Sequence, residues 1–350
     1  MNTHAIFLST NEKIGLMSNL STMLTAGIPI LEAVDSLELD AKGNTKIVLQ
    51  ELRTDLNEGE RVYSTMSKFP RVFDKVMVSL VKASEEAGTL NQILKDLKES
   101  IKKEAEFTDK IKSALTYPVL ILIIFMAVLL MILIVVIPKI STVFSRLSVQ
   151  LPLPTRILII ASNLILHNTV PLLLVLGVLV LLFILIYRRN RGLILAPLLS
   201  LPIISDLVRK IDLTRFSHSM YLLLSSGLPI SAALSLVQDV VIRKDIARII
   251  SQTRDIIISG GKLSEGLKKG NRVVPAIMIK LIEVGDKTGT LDKSMQDVSE
   301  YMEYEVSNRL QTITVLLEPI MLVFVGIVVG GMMLAIIAPI YGLIGQVGGR

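Results

Sequence analysis

Apolar and polar positions fall in blocks along this 350-residue chain. Residues 119–137, 169–187 and 319–342 are uncharged and almost wholly apolar, while 1–118 and 188–318 mix apolar and charged positions at helical spacing. About 20 residues rising about 1.5 Å each cross a bilayer core, so the three runs are predicted transmembrane helices. Between the first two lies 138–168, where Ile140, Val143, Phe144 and Leu147 share a helical face and 157–166 is apolar enough to rest on a membrane surface.

The polar blocks read as helices, and no stretch alternates with period two for long enough to argue a sheet. Leu16, Leu20, Met23 and Leu24 form one apolar stripe; Gly27 then offers a left-handed stop and Pro29 an opening for the next helix. A third helix carries Val48, Leu52 and Leu56 and ends near Gly59, and short helices are predicted over 62–67 and 73–85, separated by Pro70. The last helix has Ile93, Leu94, Leu97 and Ile101 on one face and runs on through Ile111 and Leu115 toward Pro118, joining the bundle to its span.

This organisation occurs twice. Leu24, Gly27, Pro29, Ile30 and Ala33 recur as Leu224, Gly227, Pro229, Ile230 and Ala233. After one inserted residue Gly59 matches Gly260, Met77 Met278, Leu80 Leu281, and Gly88-Thr89-Leu90 matches Gly289-Thr290-Leu291; Asp96, Glu104 and Pro118 then match Asp297, Glu305 and Pro319. The expected fold is an all-α polytopic membrane protein with two duplicated cytoplasmic bundles of about six helices each, at 13–118 and 188–318, three transmembrane helices and a short outer tail at 343–350.

Composition sharpens this picture. The apolar fraction of 51% and mean hydropathy of +0.61 argue against a water-soluble globule. A net charge of +6 suggests anionic partners until it is mapped: 1–118 holds 15 Lys/Arg against 17 Asp/Glu, 188–318 holds 18 against 14, and no carboxylate lies elsewhere. Charge costs about 2.5–3.5 kcal/mol at the centre of a membrane helix, so its distribution records topology. Lys102, Lys103, Lys110 and Lys112 before the first run and Arg188, Arg189 and Arg191 after the second place the N-terminus and both polar blocks in the cytoplasm, with Lys139, Arg146 and Arg156 as interfacial anchors outside. No cleaved signal peptide is indicated. With no Cys and three scattered His, thiol chemistry and local metal motifs are excluded.

The residues resemble a family, the duplicated inner-membrane platform proteins of type IV pilus and type II secretion systems (PilC/GspF family). The resemblance rests on Ala26-Gly27-Ile28-Pro29 and Ser226-Gly227-Leu228-Pro229, on 85–90 and 286–291, and on Tyr117-Pro118, Val136-Ile137-Pro138-Lys139, Leu151-Pro152-Leu153-Pro154-Thr155 and Glu318-Pro319. It covers about 13–345; the short N-terminal region is similar to pilus-type members. The first copy departs from the family pattern, reading Ser84-Glu85-Glu86-Ala87-Gly88 where Gly-Glu-x-Ser/Thr-Gly is usual. The resemblance implies a non-enzymatic inner-membrane platform without cofactor. Its implied partners are a hexameric assembly ATPase, pilin or pseudopilin subunits, other inner-membrane assembly proteins, further copies of itself and membrane lipids, with no nucleic acid. An oligomeric transporter or channel component is the alternative from another class, opposed by the lack of ionisable residues in the runs.

Candidate positions follow. Gly260-Gly261-Lys262-Leu263 lacks the spacing and hydroxyl of a phosphate loop, so no catalytic, cofactor or metal residue is assigned. His218 has no second ligand nearby in sequence. Glu85 with Gly88 and Asp286 with Gly289 either fix turns or form a contact surface, or, as the resemblance implies, a weak divalent-cation site between bundles. Glu318 either snorkels or senses a neighbouring span or a pilin N-terminus. Tyr117, Pro118 and Pro319 mark where the chain enters the membrane, and Gly326 and Gly330 form a GxxxG packing face, within the chain or between chains. Arg243, Lys244 and Arg248 with Lys268, Lys269 and Arg272 either cover solvated faces or help the oppositely charged copies select one another.

Overall fold

A computed structural model describes residues 5–146, 153–167, 171 and 202–347, and among them every regular element is helical. The first copy runs α1 (Thr10–Thr25), α2 (Ile30–Asp40), α3 (Gly43–Asn57), α4 (Val62–Ser67), α5 (Lys75–Glu86) and α6 (Leu90–Met131). A π-helical turn over Ile132–Val136 leads into α7 (Ile137–Arg146), and α8 (Leu153–His167) follows. The second copy runs α9 (Pro202–Ser225), α10 (Ile230–Val237), α11 (Lys244–Ile258), α12 (Leu263–Lys268), α13 (Ala276–Thr288) and α14 (Leu291–Val347).

Local chemistry sets these boundaries. Ser9 and Glu12 make a reciprocal capping box at the start of α1, satisfying amides that have no intrahelical partner. At its end Gly27 takes φ 84°, the Ile28 amide bonds Met23 O at 3.0 Å and the Gly27 amide bonds Leu24 O at 3.0 Å. A Cβ would be strained at that φ, which is why the turn needs glycine. Gly227 repeats the turn at φ 81°, with the Leu228 amide on Leu223 O. The single inserted residue of the second copy falls between α10 and α11: α1 and α2 end and begin 200 residues before their partners, whereas α3, α4, α5 and α6 begin 201 residues before theirs.

The chain divides into two compact units, one of residues 1–110 with 205–308 and the other of 111–204 with 309–350. In the first, both copies contribute to one apolar core, with Met17, Leu49, Phe69 and Leu80 from the first and Phe216, Met220, Leu234 and Ile282 from the second all fully buried. Each such side chain contributes roughly 1.5–3 kcal/mol on burial, so the core rather than the polar surface holds this unit together. The second unit is the reverse: Val119, Ile123, Ile124, Leu322, Val323 and Ile327 are all more than half exposed. Only 17% and 11% of its two most apolar helical windows are buried, the composition of a surface that meets hydrocarbon rather than water.

Three transmembrane helices were expected. Among the described residues two helical stretches are long and apolar enough, Leu90–Val143 and Leu291–Ile337, and the third run, 169–187, lies outside the described residues apart from Pro171. Helix also continues past 137 through α7, joined to α6 by the π turn without interruption.

Candidate functional site

Glu85 sits near the end of α5 and reaches back to the short α4, whose first amides have no intrahelical acceptor. Its carboxylate accepts from Val62 N at 3.0 Å and Tyr63 N at 3.3 Å. Asp286 stands 201 residues on and accepts from Ser264 N at 2.8 Å at the start of α12. Gly88 and Gly289, at φ 71° and 75°, end the same helices with the left-handed turn that sends the chain into α6 and α14. Each carboxylate therefore ties one helix end to the next helix start. Among the described residues no group of three or more His, Asp or Glu is placed to hold a metal.

Pro29 and Pro229 each occupy the N-cap and offer their carbonyls to Ala33 and Ala233. Arg243 is not a free surface cation: it pairs with Asp245 at 2.6 Å and donates to Ser205 O and Oγ. Among the described residues, ion pairs between the copies instead join Lys75 with Asp239, Glu104 with Arg215 and Lys110 with Glu303. They do not sort by sign, so net charge does not explain how the copies meet.

Asp212 in this unit escapes the sequence reading, and His218, named there only as lacking a second ligand, gains a partner. Asp212 is fully buried, and its carboxylate accepts from Ile242 N at 3.0 Å and Arg243 N at 2.7 Å, holding the turn that enters α11. Burial pushes its carboxyl pKa up, while the two amides hold it back. Its repeat partner Glu12 was the available signal. His218 Nε2 lies 2.9 Å from Ser100 Oγ across the seam between α9 and α6. Burial, with Lys103 nearby, lowers its pKa to about 4, so it is neutral at physiological pH. Ser100 and His218 border a cleft of about 560 Å³ that also takes in Asp96, Glu99 and Tyr221.

In the other unit Pro118 lies inside α6 and is buried. Proline cannot donate to the carbonyl four residues back, which leaves Ala114 O without its usual partner. Thr314 Oγ1 of α14 approaches that oxygen at 3.4 Å. Ten residues along, Phe125 and Phe324 meet edge to face at 5.6 Å, so α6 and α14 pack side by side here. Tyr117, Glu318 and Pro319 are exposed. Gly326 and Gly330 are exposed too, and a Cβ at either meets nothing within 4 Å, so no close helix approach uses them among the described residues.

α8 is held at both ends of its polar face. Thr155 donates to Ala335 O of α14, and Ser162 donates to Leu133 O, inside the π turn, at 2.6 Å. Thr155, Ser162, Leu133 and Ala335 are all buried. Isolated hydroxyls in an apolar run were the missed signal: in hydrocarbon each must find an acceptor.

Comparison with known proteins bears on this arrangement. The family model described as type II secretion system (T2SS), protein F matches residues 16–138 and again 216–339. Over 329 residues the chain is 32% identical to the type IV pilus assembly protein PilC of Thermus thermophilus, covering 93% of this chain and 81% of that one. The PilC of Myxococcus xanthus is 27% identical, with 93% and 79% covered. A type II secretion system protein F of Pseudomonas aeruginosa is 28% identical, with 97% and 85% covered.

Proposed function

The chain belongs to the type II secretion system protein F family, and from that premise we propose that it is the inner-membrane platform of a type IV pilus or type II secretion assembly machine. It acts as a coupler rather than an enzyme. Its copies at 13–118 and 188–318 face the cytoplasm and engage a hexameric assembly ATPase, and its spans, with 169–187 as the third, meet pilin or pseudopilin subunits held in the bilayer. Other inner-membrane assembly proteins complete the complex.

One observation supports this reading above the rest. α6 and α14 each begin among core residues of a repeat, Ile93 and Leu94 or Met295 and Val298, and each continues without a break into a stretch apolar enough to span. A helix that runs on through a single proline, with one bond of its ladder missing at Pro118, still passes displacement along its axis better than two helices joined by a loop would. Movement imposed by the motor on the repeats is thereby delivered to the membrane.

The test is crosslinking from surface positions in 1–118 in intact membranes, followed by identification of the product. Recovery of a hexameric ATPase, together with loss of surface pili or secreted protein and normal solute uptake on deletion, is the expected result. Failure to recover an ATPase while the membrane complex stays intact, or a deletion that alters solute uptake alone, rejects it.

A further inference from the structure

One contact between the copies, α5 with α10, has repeat equivalents whose faces are exposed among the described residues. In the first copy α5 is covered by the second: α10 packs on it, and Lys75 Nζ lies 2.5 Å from Asp239 Oδ2 just beyond the end of α10. Val76 on that face is 6% exposed. α13 is the repeat partner of α5, and there the same face is bare. Ile277 and Val284 are 41% and 58% exposed, with Lys280 and Lys287 exposed beside them. Spacings of three and four residues put these positions on one stripe. The complementary vacancy is on α2, the partner of α10, which presents Glu32, Ser36, Leu39 and Asp40 to solvent, with Leu39 at 85% exposure.

We infer that a second copy of this chain docks head to tail on this face, its α2 lying on α13 as α10 lies on α5. Charge agrees with that occupant. Every ionisable group in α2 is a carboxylate; Asp35 and Glu38 are held by Arg53, which leaves Glu32 and Asp40 for a partner. The receiving side offers Lys280, with Lys287 paired to Glu283 at 2.7 Å, and Lys262 and Lys268 line the adjoining depression with Glu265 and Glu283. Acid from one copy and base from the other is the polarity that Asp239 and Lys75 already show. At the corresponding positions Leu39 replaces Asp239 and Ala276 replaces Lys75, so the ion pair becomes an apolar contact. Because two different surfaces meet, every added copy exposes a fresh α2 and a fresh α13, and the assembly closes as a ring or continues as an open array. The inference holds whether or not the platform reading does.

The chain has no cysteine, so introduced thiols are unique. Two differently tagged full-length chains, one Leu39→Cys and the other Ala276→Cys, are co-expressed and treated in membranes with a short bismaleimide. Lys75→Cys with Asp239→Cys in one chain is the positive control for reach. A mixed-tag product is expected, absent when either variant is expressed alone. Lys280→Glu lowers its yield about tenfold, and Glu32→Lys with Asp40→Lys on the partner restores it. No mixed product with a working control, or a product from Leu39→Cys alone, overturns the inference. So does protection of the Ala276→Cys thiol only when phosphatidylglycerol vesicles are added to the detergent-solubilised protein, which assigns the face to lipid.

Discussion

Glu85 in the first copy and Asp286 in the second close the same joint with side chains that differ by one methylene. The longer one reaches two amides of α4 and the shorter one amide of α12. One position earlier the copies diverge further. Ser84 is buried and bonds back to Val81 O at 2.9 Å, whereas Gly285 leaves room for Ser294, whose Oγ lies 2.5 Å from where a Cβ would stand. In the core Leu16 in one copy faces the role that the bulkier Phe216 has in the other. Turn chemistry is held constant across the repeat, while core volume is traded locally between neighbours. The joints fix the path of the chain, and the core needs only to be filled.

Substitutions made in pairs test this division, each read as the thermal midpoint of the detergent-solubilised protein. Phe216→Ala is expected to be the most damaging, at about 3–5 kcal/mol, with Leu16→Ala at the lower end of about 2–5 kcal/mol because its site is less completely enclosed. Equal costs would mean that the two cores are equally tight. Gly285→Ala forces a methyl against Ser294 and is expected to cost about 1–3 kcal/mol, whereas Ser84→Ala removes one local hydrogen bond and costs about 1 kcal/mol. Removing the caps comes next: Glu85→Ala is expected at about 1–2 kcal/mol and Asp286→Ala at about 1 kcal/mol, and the reverse order would refute the two-amide reading.

The smallest effect at neutral pH is His218→Gln, about 0.5 kcal/mol, since glutamine can keep a neutral hydrogen bond. This pair has no counterpart in the first copy, where Ser18 holds the equivalent place. Its value lies in the pH profile. The folded pKa of about 4 is below the ordinary histidine value, so the folded state resists protonation. Stability is therefore full above about pH 6.5 and falls as pH drops toward 4. Lys103 and Arg215 face this seam along with Asp96, Glu99, Glu104, Glu300 and Glu303, so the profile is to be compared with that of His218→Gln, in which the histidine component is absent.

Much of this architecture was legible because repetition doubles every weak signal. Gly27 and Pro29 alone predict a turn; with Gly227 and Pro229 they predict a unit, and the helix ends follow. Val62–Ser67 was read with its observed bounds, and the run of α6 past Ala114 toward Pro118 followed from its continuous apolar face. The misses share a physical cause. Asp212, Ser162, Thr155 and Thr314 act on backbone groups distant in sequence, and a periodicity argument sees only neighbours on one helix. For Thr314 the clue was Pro118, which announces an orphaned carbonyl without saying which helix will answer it. The merging of both copies into one core was likewise invisible, because an amphipathic stripe shows that a face is buried and not what buries it.

The π turn at Ile132–Val136 has an evolutionary consequence. Within that single turn the Leu133 carbonyl accepts from Ser162 at 2.6 Å instead of being left bare. Each residue of an α-helix advances the azimuth by about 100°, so deleting one residue from this turn would swing Ile137, now 1% exposed, and everything after it onto a different side. Alignments of relatives through this stretch should therefore be phased separately before and after the turn. A length change of one residue here is a change of which side chains are buried and which exposed.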